Sequence, residues 1–301
     1  MTPVMKTLTS AFALLLALPA CAKQAPAPAV AAKDADPALW VVKDADTTIY
    51  LFGTIHVLKP GLTWFDEAVK TAFDKSNTLV LEMVEPDQAT EQKIVLAKAF
   101  APDQPPLTQQ VSAKYRGVLT STMAAGKVPA ATYEKMRPWF AAVTLSLLPV
   151  QKSGYGAANG PEGVLSAAAK AAGKPVVGLE TFEGQLGIFD SLSRQAQVKL
   201  LESTIDELPT ANATMDKMVA DWSRGDPDAL AREMNKSLKD SPEVAKALLT
   251  DRNKQWAGWI AERMRTPGTV FIAVGAGHLA GANSVQEQLK GYKLDAVRVK
   301  Y

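Results

Sequence analysis

Cysteine, histidine and net charge are each scarce in this sequence. A single cysteine, Cys21, stands among 301 residues. If it becomes a modified N-terminal residue, no thiol is left for disulfides or for cysteine catalysis. The 33 basic residues nearly cancel the 31 acidic ones, leaving a net charge of +2, and that balance excludes the broad basic footprint of a nucleic-acid-binding protein. No repeat with a fixed period of about 20–50 residues is visible, which argues against a solenoid or array. Histidine occurs only twice. What is present is ordinary for a globular chain, with 47% hydrophobic and 21% charged residues and enough length for a buried core in one or two domains.

The N-terminus reads as an export address. Lys6 precedes the apolar run Ala11–Leu18, and Leu18-Pro-Ala-Cys21 follows at once. The run is too short to span a membrane. The four residues ending in Cys21 look like a bacterial lipobox, so residues 1–21 are expected to be a signal peptide and Cys21 a lipid anchor to the membrane. The alternative is plain secretion with cleavage at the small residues around Ala20 and Ala22. By similarity to Gram-negative lipoproteins, alanine after the cysteine favours the outer membrane, so the expected location is the periplasm, anchored there. Residues 22–37, rich in Ala and Pro, read as a flexible tether. A single domain is expected over 38–301.

Within that domain, Leu39–Val42 and Thr48–Phe52 are β-favouring runs joined by a polar turn and predict a hairpin. Helical spacing over Trp64–Asp74 is followed by the apolar strand Thr78–Val84, interrupted by Glu82. Residues Asp87–Tyr155 and Ser193–Arg265 read as helices, and Leu165–Ala172 as a short one. Strands are predicted at Lys174–Leu179, Thr269–Val274 and Leu294–Val299, with a helix over Ser284–Lys290. This pattern predicts an α/β domain with a mainly parallel central sheet and helical insertions, one of which would form a cap.

Both histidines stand in the same context. Thr48–His56 and Thr269–His278 are each an apolar β run ending in Gly-x-x-His, which would present an imidazole at the mouth of a sheet, where open α/β folds bind ligands. A lone histidine after a strand is more often a hydrogen-bonded structural residue than a ligand. The matched pair reverses that preference and points to metal ligands or an acid/base pair. Glu82, an acid inside an apolar strand, needs a compensating cation or metal. Glu180 either joins it or caps the helix that begins in Glu180–Glu183. Arg252 and Trp256 share a helix face, so Arg252 either reaches a carboxylate or substrate oxyanion or belongs to a solvated basic face, and spacing alone favours the solvated face. Two imidazoles with one or two carboxylates suit a divalent ion such as Zn, Mn, Co or Fe(II), which would acidify a bound water and imply hydrolysis.

Gly53-Thr-Ile-His56, Leu81-Glu82, Gly178-Leu-Glu180 with Gln185, Arg252-Asn253 with Trp256, and Gly275-Ala-Gly-His278-Leu279 followed by Gly281 occur in that order. Together they resemble the TraB/GumN family, which includes the Tiki proteins, over about Leu39–Val299. The resemblance implies a fold like the erythromycin esterase and ChaN-like group and a metal-dependent hydrolase site. It implies His56, His278 and Glu82 as metal ligands and Glu82, Glu180, Arg252 and Asn253 as catalytic-site residues. Tiki members are membrane-associated metalloproteases that use Mn or Co. The expected activity is therefore a metallopeptidase acting on a polypeptide or other envelope substrate. Two alternatives stand beside it: a haem- or ligand-binding lipoprotein with axial histidines, and an assembly or polysaccharide-export factor with a vestigial site.

Overall fold

The computed structural model describes residues 33–238 and 241–301, without the side chains of 235–238. The expected signal peptide, the lipid-anchor residue Cys21 and most of the tether lie outside the described residues. The chain enters at β1 (Lys33–Asp34), followed by β2 (Leu39–Lys43), β3 (Thr47–Thr54), β4 (Leu62–Thr63), α1 (Glu67–Lys75) and β5 (Thr78–Val84). A helical stretch follows: α2 (Gln88–Ala99), α3 (Leu107–Gln110), α4 (Ala113–Ala125), α5 (Ala130–Tyr133), α6 (Pro138–Lys152) and α7 (Pro161–Ala171). Then come β6 (Val176–Thr181), α8 (Phe182–Asp190), α9 (Arg194–Glu207), α10 (Ala211–Ser223), α11 (Pro227–Leu238) and α12 (Pro242–Ala245). A π-helical turn, Lys246–Thr250, leads into α13 (Asp251–Arg263). The chain ends with β7 (Gly268–Gly275), α14 (Val285–Leu289) and β8 (Val297–Arg298).

The larger sheet has six strands in the order β6-β5-β7-β3-β2-β8. The pairs β6/β5, β5/β7 and β7/β3 are parallel, whereas β3/β2 and β2/β8 are antiparallel. Strand alternation sorts β7 between two cores. Phe271 and Ala273 join Phe52, Phe73, Leu79 and Trp222 on one face, while Val270, Ile272 and Val274 join Ile49, Leu51, Trp256 and Ile260 on the other.

A third core is built mainly by helices, with Met83 of β5 packed against it. There α2, α4, α6 and α9 bury Val95, Leu119, Trp139, Phe140, Leu145 and Leu201 among themselves.

These features correct the expected fold class. Over the described residues the molecule is mostly helical, at 58% helix, with small mixed sheets, and not a mainly parallel central sheet carrying helical insertions. The strand runs fall near their predicted positions, but the long helical stretches have apolar faces that pack on each other and so make a core of their own. Residues 33–37, expected in the tether, also pack on the fold. Ala35 is buried, and β1 pairs in parallel with β4. No described helix is long and apolar enough to cross a membrane.

Candidate functional site

Parallel pairing of β3 with β7 sets Thr54 opposite Gly275, so the two Gly-x-x-His motifs leave adjacent strand ends on the same side. β5 lies against the other edge of β7 and brings Glu82 to this end, and β6 adds Glu180. Glycine at 53 matters here for close approach, because a Cβ would stand 3.1 Å from both Cα and Cβ of Ala276. The indole Nε1 of Trp222 donates to the Gly53 carbonyl at 2.7 Å and holds the first strand end from below.

The buried half of the site is organised by Arg252, in the first turn of α13. Its Nε donates to Glu180 Oε1 at 2.8 Å, and its Nη2 donates to Glu180 Oε2 at 2.9 Å and to Glu82 Oε2 at 2.6 Å. Nη1 donates to the Leu248 carbonyl in the π-helical turn at 3.2 Å and meets His278 Nε2 at 3.1 Å. A guanidinium only donates, so His278 Nε2 accepts, and its Nδ1 carries the proton to Asn253 Oδ1 at 2.6 Å. Asn253 Nδ2 donates in turn to the Asn283 carbonyl at 2.7 Å. Trp256 closes the cluster. Its Nε1 donates to Glu180 Oε1 at 2.9 Å, its ring lies 4.3 Å from the His278 ring, and the guanidinium sits 4.6 Å above it.

This arrangement fixes the charges. Burial pushes the His278 ring well below its usual range, to about 3, with Arg252 acting in the same sense and Glu82 against it, so the ring is neutral. Burial opposes ionisation of Glu82. The two imidazoles, the Arg252 guanidinium and the Gly275 amide overcome it and hold the carboxyl down at about 2. That amide donates to Glu82 Oε1 at 2.7 Å, and Gln185 Nε2 donates to Oε2 at 3.0 Å.

His56 faces the other way, with its side chain 66% exposed. Nδ1 donates to Glu162 Oε1 at 2.7 Å, and Thr54 Oγ1 donates to the same oxygen at 2.5 Å. The Glu162 carboxylate raises the ring to about 9, and Glu82 adds to the rise. With Nδ1 engaged, Nε2 is the free nitrogen. It lies 3.4 Å from the point where a Cβ on Gly275 would stand, and Glu82 Oε1 lies 3.1 Å from the same point. The missing side chain therefore leaves a small cradle between an imidazole nitrogen and a carboxylate oxygen.

His56, Glu82, Glu180, Arg252, Asn253 and His278 all meet round this strand end. Two readings are corrected. Arg252 is 7% exposed and bridges two carboxylates, so it does not belong to a solvated basic face. Glu180 does not cap the following helix, because Thr181 does so by accepting from the Gly184 amide. Glu162 escaped notice in the sequence. It follows Gly160-Pro161 in the first turn of α7, where an acid reads simply as a complement to the helix dipole. Gly160 ties the two segments together, since a Cβ there would stand 2.3 Å from the His56 carbonyl oxygen.

For a divalent ion, His56 Nε2 and Glu82 Oε1 fit as donors on either side of the Gly275 cradle, and Glu162 behind Nδ1 is the usual support of a ligating imidazole. His278 Nε2 lies 3.7 Å from Glu82 Oε1, but its lone pair is taken by Arg252. Among the described residues no group of three His, Cys, Asp or Glu is arranged to hold one ion.

Residues 38–296 match the model of the TraB/PrgY/gumN family. The chain is also 30% identical over 156 residues to "Uncharacterized protein YbaP" of Escherichia coli (strain K12), and equally to the protein of that name from Shigella flexneri. These matches cover 50% of this chain and 56% of each relative, so the chain spans about half the length of the curated relatives it matches. No solved structure matches.

Proposed function

The chain belongs to the TraB/PrgY/gumN family, and from that premise we propose that it is an exported, lipid-anchored, metal-dependent hydrolase, in the first instance a peptidase. One observation carries the reading: His56 Nε2 and Glu82 Oε1 face a common cradle over Gly275, with Glu162 fixing the imidazole from behind. His56 and Glu82 would hold the ion, leaving its other positions to water and substrate. When bound, a divalent ion lowers the pKa of a coordinated water toward neutrality.

The protein's own residues supply orientation and charge. Glu162 and Thr54 hold the His56 ring in one tautomer, with Nε2 outward. Arg252 and Gln185 anchor one oxygen of Glu82 and leave Oε1 toward the cradle. At neutral pH the carboxylates keep a proton on His56, and an arriving cation would displace it.

A second reading rests on the Arg252 bond to His278 Nε2. There the guanidinium is the site's fixed cation, and His56 exchanges protons directly with the substrate, backed by Glu162 as in acid/base dyads.

The test uses purified protein, with metal content measured by mass spectrometry and cleavage of a quenched-peptide library as the assay. The metal reading expects one bound Mn or Co ion per chain at saturation and activity lost in chelator. His56→Ala should lose both ion and activity. Full activity after chelation, with His56→Ala inactive, would select the second reading. Full activity in His56→Ala would sink both.

A further inference from the structure

A groove of about 400 Å³ lies along the loop that follows His56, and its two walls belong to the two segments that carry the His56–Glu162 pair. One wall runs from Leu58, two residues after His56, to Asp66, and the other contains Val164, two residues after Glu162, with Ala158 and Asn159. Leu62, Phe65 and Val164 are half-buried and turn apolar surface toward it.

The loop forming the first wall is fastened along its length. Leu58 and Gly156 exchange backbone hydrogen bonds at 3.3 and 3.1 Å. Lys59 is held by Asp216 at 2.8 Å, and Tyr155 donates to the same oxygen at 2.5 Å. β4 is paired by β1, and Trp64 stacks on the core residue Phe52 with ring centroids 5.5 Å apart. A loop tied in this way keeps a formed groove, as ligand sites commonly do. The Lys59 charge, the cation of the lining, is spent on Asp216, and Asp66 adds a carboxylate, so the groove offers apolar surface from Leu62, Phe65 and Val164 and disfavours an anionic group.

We propose that this groove is the subsite for a bulky apolar side chain adjoining the bond that the site cleaves. The proposal rests on the hydrolase reading for the word "cleaves" and on the groove's own geometry for its chemistry. The substrate class is then a polypeptide with an aromatic or branched aliphatic residue beside the scissile bond.

Ala158 is exposed on the rim, so Ala158→Trp fills the groove without removing a core contact. Binding of N-acetyl-L-phenylalaninamide and N-acetylglycinamide to the full chain is followed by NMR, and a quenched-peptide library reports cleavage. Expected are at least about tenfold tighter binding of the phenylalanine amide, and a similar preference in kcat/KM for Phe, Leu or Trp over Gly beside the cut. Both should be abolished in Ala158→Trp and in Val164→Glu, with unchanged urea midpoints for Ala158→Trp. Cleavage indifferent to that residue and to Ala158→Trp would overturn the subsite and leave the hydrolase standing. Selective binding that Ala158→Trp abolishes, with no peptide cleaved, would overturn the hydrolase reading and keep the groove as an apolar site. Equal binding of the two amides would overturn the groove assignment.

Discussion

The two histidines share a Gly-x-x-His motif and a position beyond adjacent parallel strand ends, yet they sit in opposite environments. His278 is buried, neutral and bonded at both nitrogens, to Arg252 and Asn253. His56 is exposed, drawn toward its protonated form by Glu162, and keeps Nε2 open. The same local sequence thus yields one imidazole that is part of the framework and one that is available for chemistry. What differs is the partner that the rest of the chain delivers: a guanidinium on α13 in one case and a carboxylate on α7 in the other.

The comparison is broken most severely by Arg252→Met. Glu82 and Glu180 would be left as buried carboxylates without a counter-charge, and the expected loss is about 3–5 kcal/mol in urea unfolding. A loss under about 1 kcal/mol would show that the cluster is not organised by this cation. Next in size is the acid response of His278. Its pKa is depressed from 6.5 to about 3, so the unfolded state binds more protons between those values, and stability should fall as pH drops from about 6.5 toward 3. In His278→Gln that slope should flatten above pH 4.5. The part contributed by Glu82, present above 4.5 and lost as pH falls toward about 2, should shrink but persist, because His56, Arg252 and the Gly275 amide still hold that carboxyl down. His56 has the opposite sign. With its pKa raised to about 9, its contribution is complete below pH 6.5 and lost as pH rises through 9, and Glu162→Gln should remove this alkaline slope. Melting curves across pH 3–10 check both limbs.

Gly275→Ala sharpens the contrast with a small structural change. The backbone there has φ −50° and ψ 132°, open to any residue, so the expected stability change is within about 1 kcal/mol. The new methyl would fill the cradle between Glu82 Oε1 and His56 Nε2, and ion uptake and cleavage should both disappear. His56→Ala should lose the same alkaline slope as Glu162→Gln, and it also removes the group on which the proposed activity depends.

Much of the site was legible because its residues violate the local pattern. Glu82 interrupts an apolar strand, and the only two histidines repeat one motif. Glu162 gave no such sign, since an acid in the first turn of a helix has a routine explanation. Arg252 misled for a related reason, as a basic residue in a charged helix normally faces water. The fold class went astray because the strands are conspicuous in sequence, whereas nothing in the helical spacing of Asp87–Tyr155 and Ser193–Arg265 says whether those helices pack on the sheet or on one another. They do both, and Trp139, Phe140 and Leu201 build a core made mainly of helices, which the sheet meets at Met83.

By itself the sequence determined where the strands end, which of them carry an imidazole or a carboxylate, and which family the motifs resemble, because alternation, glycine placement and residue scarcity are local properties. Only the tertiary structure decided that α13 would neutralise Glu82 and Glu180 and silence His278, and that α7 would set Glu162 behind His56. Those pairings depend on segments 72 to 170 positions apart meeting in space, and no periodicity within either segment encodes its partner.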